Sequence, residues 1–155
     1  MKKLFTILGI IFATIIVFIV IAAAIFIPRT LKLDREATAY IQDAVPKIVT
    51  NWSSQELIDR ATPGLIDSAK SHDQLDRLFV MFRQLGSFKQ LDKPEGMVVS
   101  SAYTGEGTVT LGNYTAHGDF EKGKATIKIQ LRRVDGTWKI NGFRINSDVF
   151  LPPKS

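Results

Sequence analysis

No cysteine occurs in the 155 residues. That excludes a disulfide framework, thiol catalysis, cysteine-ligated zinc and a lipid carried on an N-terminal cysteine. Histidine is nearly as scarce: His72 and His117 are the two present. They fall in separate predicted elements, and two imidazoles without close spacing make a poor metal site. No metal and no cofactor is expected. The 20 lysines and arginines and 15 acids are interspersed, with Arg132-Arg133 the nearest approach to a basic run. A nucleic-acid binder carries a basic stripe with interleaved aromatics, so nucleic acid is not expected as a partner. Ser100 and Ser101 lack the glycines of a nucleophile elbow, and Gly105-Glu106-Gly107 lacks the lysine and following helix of a phosphate loop.

Charge is absent from residues 4–27, where Thr6 and Thr14 are the polar side chains. As a helix this run is about 36 Å long, against a hydrocarbon core of about 30 Å. It reads as an N-terminal transmembrane helix, residues 1–28. Lys2-Lys3 and Ala22-Ala23-Ala24 also fit a cleaved signal peptide, but the apolar run continues past the alanines through Ile25, Phe26 and Ile27, longer than a signal core. Lys2 and Lys3 on one side face Arg29, Lys32 and Arg35 on the other, a count that favours the opposite topology, but Asp34 and Glu36 accompany the second cluster and a short N-terminal tail is easily left inside. Either reading exports the C-terminal domain. The expected location is the plasma (inner) membrane, single-pass, with that domain outside the cytoplasm.

Residues 29–33 form a short juncture, 34–150 the exported domain and 151–155 a tail. Asp34 or Thr38 is expected to open the first soluble helix, with Ala37, Tyr40, Ile41, Ala44, Val45, Ile48, Val49 and Trp52 at helical spacing. Pro46 should kink or divide it. Ser53 and Glu56 have capping-box spacing for a second helix, which stops at Thr62-Pro63-Gly64. Ser71 to Gln74 repeats that spacing before a third helix, whose apolar face is Leu75, Leu78, Phe79, Phe82 and Leu85, ended by Gly86.

After Gly86 the period changes to two. Strands are predicted over 88–91, 97–103, 109–121 and 125–131, then through Trp138 and Phe143. Alternation in 109–121 changes phase at Gly112-Asn113, predicting a bulge, and a second is predicted at Asn141-Gly142. Asp135-Gly136 is a hairpin turn signal. Helices followed by an antiparallel meander give an α+β fold. The expectation is about three helices on a curved antiparallel sheet of roughly four to five strands, forming a cone.

This order, with "YTAHGDFEKGKATIKIQLRRVDGTWKINGFRIN" at its end, resembles the nuclear transport factor 2-like (cystatin-like) superfamily, especially its small exported bacterial domains. The resemblance covers roughly 34–148 and is sharpest in the strand, Asp-Gly turn and "TWKINGF" strand. Its plan also resembles the bitopic scaffold subunit of type IV secretion systems. The superfamily includes isomerases, dehydratases, ligand carriers and interaction domains, so fold alone does not deliver function.

No catalytic residue is assigned. His117 and Asp119 share the strand face opposite Tyr114, Ala116 and Phe120, which turns them outward if that apolar set is interior. The leading expectation is a non-enzymatic, membrane-anchored domain that binds another protein or itself. The alternatives are a small apolar-ligand carrier whose cone is lined by Phe82, Tyr103, Tyr114, Trp138 and Phe143, and an isomerase-like enzyme by superfamily analogy.

Overall fold

The computed structural model describes residues 2–69, 72–103 and 107–151, without the side chains of 2–10, 23, 25–28, 72, 102 and 103. The chain divides into two compact units, Met1–Leu33 and Asp34–Ser155. In the first, every side chain described over residues 11–22 is exposed. Among the described residues no helix is long and apolar enough to cross a membrane, and part of the expected segment lies outside them.

Helix α1 spans Lys2–Thr50. Asp34 and Thr38 therefore lie within a helix rather than opening one, and Pro46 neither ends nor divides it. A proline inside a helix ordinarily costs about 3 kcal/mol. Here Ala44, Val45, Ile48 and Val49, each no more than 1% exposed, bury that stretch and offset the lost hydrogen bond. Trp52 comes next in the left-handed region (φ 46°), and the Ser53 amide reaches back to the Ile48 carbonyl at 3.2 Å. This is a Schellman ending with tryptophan where glycine is usual.

Ser53 then caps α2 (Ser54–Arg60), accepting from the Glu56 amide as its spacing predicts. α2 stops before Thr62-Pro63-Gly64 as expected, and the same residues open a short helix α3 (Pro63–Ser68), with Thr62 as N-cap and Pro63 in the first turn. A proline there forfeits no intrahelical bond. Helix α4 (His72–Phe82) runs into a 3-10 turn, Arg83–Leu85, and Gly86 (φ 76°) ends it. Phe79, Phe82 and Leu85 are buried as expected, but Leu78 is 46% exposed. Ser71 lies outside the described residues.

Five strands make one antiparallel sheet: β1 (Phe88–Leu91), β2 (Glu95–Tyr103), β3 (Gly107–Phe120), β4 (Gly123–Val134) and β5 (Thr137–Asn146). It is not a simple meander. β4 pairs with residues 111–120 of β3, while β2 pairs with 107–115 and β1 with 118–120. Both β1 and β2 must therefore lie along the β3 edge opposite β4. The expected bulge at Gly112-Asn113 is absent, because register runs unbroken through both residues on either side. The apparent phase change has another cause. Thr110 and Gly112 continue the inner face of Tyr114 and Ala116, and Val109 and Leu111 point outward. Thr110 is buried there with its hydroxyl 3.0 Å from that of Ser100.

The second bulge is present: Gln130 pairs with Gly142 and Leu131 with Ile140, leaving Asn141 extra. Thr62 fixes it from outside the sheet. Its amide donates to the Ile140 carbonyl at 2.8 Å, its hydroxyl donates to Asn141 Oδ1 at 3.0 Å, and the same oxygen accepts from the Leu65 amide. Asp135 and Gly136 both have positive φ, the geometry of a type I′ hairpin turn. A closing 3-10 turn spans Asp148–Phe150.

The second unit is thus an α+β layer pair. Ile127, Ile129 and Leu131 of β4 and Ile140 of β5 are all buried on the inner face. Trp52 stacks on Phe120 with ring centroids 5.4 Å apart, and polar ties from Asp34 and Glu36 also bind the helical layer to the sheet.

Candidate functional site

The inner face carries aromatic side chains that serve as packing. Phe82 is buried against Trp52, Phe79 and Phe150. Trp138 is 5% exposed, beneath the Arg133 guanidinium, which is 5.9 Å from the ring centre and 3.4 Å from Glu36 of α1. Phe143 is half-buried at the β5 edge, where it shares a cleft with Leu65. Tyr103 has its side chain outside the described residues. Four of the five residues expected to line a cone thus occupy separate surroundings, and none of four clefts among the described residues is lined by two of them.

Tyr114 is the polar member of the set. Its ring lies over two glycines: a Cβ on Gly96 or Gly112 would come within 2.9 Å of it. Its hydroxyl donates to Asp34 Oδ1 at 2.5 Å, tying α1 to β3. Burial pushes the Tyr114 phenol up, and the hydrogen bond to Asp34 and that carboxylate's charge push it further. Tyr40 is also raised, chiefly by burial. A raised phenol stabilises the fold fully below the unfolded tyrosine value, about 10, and loses that contribution as pH rises beyond it. Removing the Tyr114 hydroxyl as Tyr114→Phe should cost about 1–3 kcal/mol at neutral pH. It should also flatten the loss of stability between pH 9 and 11 seen in urea titrations of the parent, an expectation set by the ordinary tyrosine range of about 10. An unchanged alkaline slope would contradict the assigned tie.

Two inner polar atoms, Tyr40 Oη and Trp138 Nε1, are buried with no hydrogen-bond partner among the described residues. Thr62 and Thr110, the buried polar residues of the core, both hold elements together. His117 is outward and exposed, with Nδ1 3.3 Å from the Thr126 hydroxyl, and Asp119 faces Lys124 at 3.4 Å. The face parity read from sequence places both correctly.

The outer face of the sheet has two zones. On β4 and β5, Lys128, Arg132 and Arg144 are exposed. On β2 and β3, Met97 is 64%, Val99 47% and Leu111 38% exposed. Val99 and Leu111 are directly paired in register, and Met97 shares their face two residues along. Sequence reasoning misses this apolar cluster. Its signal is present in "MVV", but which side of a strand is wet depends on what covers the other.

A groove of about 630 Å³ beside the end of β5 is lined by Met81, His117, Lys124, Thr126, Ile145 and Phe150 among others. No protein-family model, curated protein or solved structure matches the chain.

Proposed function

We propose that this chain is a single-pass membrane protein of the plasma (inner) membrane, whose C-terminal α+β domain lies outside the cytoplasm and works by binding protein rather than by catalysis. One observation carries the anchoring: on α1, Ile11, Phe12, Ile15, Ile16, Val17, Phe18, Ile19, Val20 and Ile21 are each at least 45% exposed. Nine large apolar side chains around all sides of a helix are costly in water and suited to lipid. The uncharged run extends over residues 4–27, and its short N-terminal tail is easily left inside against the local count of Lys2 and Lys3 versus Arg29, Lys32 and Arg35.

The binding assignment is supported by how the domain uses its polar groups. Asp34, Glu36, Thr62 and Thr110 each engage another element, and α1 together with the aromatic cluster occupies the inner face. The outer face of the sheet is exposed and carries the apolar cluster of Met97, Val99 and Leu111. The plan resembles an exported nuclear transport factor 2-like domain on a membrane helix, and that superfamily includes interaction domains.

Two fusions and a fractionation test the location. A C-terminal alkaline phosphatase fusion should be active and a fluorescent-protein fusion dark, and the chain should resist alkaline carbonate extraction. A bright fluorescent fusion, or release by carbonate, would overturn the location.

A further inference from the structure

Among the described residues, the sheet blunts its edges along β1 and β5 but not along β2. The β5 edge carries the bulge at Asn141, the exposed cation Arg144, and a cover from the segment before α3, where Ala61 bridges Ile140. The β1 edge is four residues long, contains Lys89 and is irregular between Phe88 and Gln90. These are the devices by which sheets avoid joining edge to edge. Strand β2, "EGMVVSSAY", has none of them. It is nine residues long, in unbroken register with β3, without proline or lysine, and its single charge is Glu95 at one end. Its other edge pairs with no strand among the described residues.

We infer that β2 is a pairing edge and that its occupant is β2 of a second copy, joined antiparallel about a two-fold axis. This deepens the binding-domain reading, and rests on it, by naming the partner. An unpaired backbone edge accepts an extended strand, and in full overlap two features of its sequence suit its own copy. Full overlap of Glu95–Tyr103 with itself puts the axis through Val99, the midpoint of the strand. In that register Met97 faces Ser101 and Val98 faces Ser100 of the second copy, so larger side chains meet smaller ones along the row. Glu95 and its counterpart lie at opposite ends, so no like charges are opposed.

The exposed cations also permit the pairing. Arg132 lies on β4, two strands in from the edge. Its counterpart across the axis is about 24 Å away, at five strand spacings, beyond a Debye length of about 10 Å at 0.1 M salt. The apolar cluster of Met97, Val99 and Leu111 becomes continuous with its copy across the axis. A single strand pair is a small interface, and tethering both copies in one membrane raises their effective concentration.

The absence of cysteine makes the test direct. Full-length Val99→Cys and Met97→Cys, in mild detergent and in membranes, are oxidised briefly and run without reductant. Directly opposed Cα atoms at the axis are about 4.5–5.5 Å apart, within disulfide reach, whereas the two Met97 positions are separated by about 13 Å. Val99→Cys should form a covalent dimer at least about tenfold faster than Met97→Cys, as that geometry requires. The Met97→Cys/Ser101→Cys pair should restore crosslinking. Val99→Lys, which sets two cations on the axis, should shift the detergent-solubilised chain from dimer to monomer by light scattering while leaving its circular dichroism unchanged.

Equal rates at both positions, no crosslink in a folded chain, or capture of a different protein at Val99→Cys would overturn the pairing. A failed location test with this crosslinking pattern intact would sink the membrane assignment alone. The reverse result would sink the pairing alone.

Discussion

Trp52→Ala should lower the stability of the domain by about 3–5 kcal/mol, among the largest effects of any single truncation in a core. The side chain is 6% exposed and sits where three elements meet. It stacks on Phe120 of β3 at 5.4 Å, tilts against Phe82 of α4 at 6.1 Å, and its indole Nε1 donates to the Gly86 carbonyl at 3.2 Å. Truncation opens a void, loses the ring contacts and leaves a carbonyl without its donor. The residue also holds a left-handed backbone conformation that costs a non-glycine residue roughly 1–2 kcal/mol. The ring's contacts with Phe120 and Phe82 and its bond to Gly86 offset that cost. Thermal melting of the full chain in detergent should fall by roughly 10 °C or more. Trp52→Phe keeps a ring but loses the hydrogen bond, so its loss should be less than half as large. Equal losses for the two variants would refute the division between packing and hydrogen bonding.

Gly96→Ala should be nearly as damaging, at about 3 kcal/mol, the upper range for overpacking. A Cβ there would lie 2.1 Å from the Asn113 carbonyl oxygen and 2.8 Å from the Tyr114 Cα. Both are backbone atoms of the neighbouring strand, so no side-chain rotation relieves the clash. The start of β2 must separate from β3, and the Tyr114 ring loses one of its two glycine supports. Gly64→Ala is the matched control, because nothing lies within 4 Å of its added carbon and the residue is helical. It should be neutral or raise stability by up to about 1 kcal/mol. Equal effects at the two glycines in melting curves would refute the close approach of β2 to β3.

Local pattern carries much of this fold. The buried face of α1 from Ala37 to Val49, the alternation of β4, the Asp135-Gly136 turn and the bulge at Asn141 are all legible from periodicity and turn chemistry, because each depends on neighbours within a few residues. The misreadings have a common origin in contacts made at long range. Division at Pro46 does not occur, because the residues around it are buried. Val109 and Leu111 look like an inner face out of phase because both are apolar, whereas the inner positions beside them are Thr110 and Gly112. The glycine is required by the Tyr114 ring and the threonine is satisfied by Ser100. Leu78 continues an apolar stripe but is left exposed.

The candidate surface is hidden from the sequence for the same reason. A meander would place β2 between β1 and β3 and leave it no free edge. In the fold, β1 takes the far end of β3 and the Asp92 amide continues to the His117 carbonyl. This arrangement exposes β2. The tie between Asp34 and Tyr114 spans 80 residues and has no sequence signature.

In-cell photocrosslinking of the full-length chain decides whether the domain binds protein outside the cytoplasm. A photoreactive residue replaces Met97 on the outer face or Lys47 on the helical layer. One defined adduct is expected from position 97, at twice the mass of the chain, and none from position 47. An exported, folded chain that yields no specific adduct from position 97 would contradict that binding.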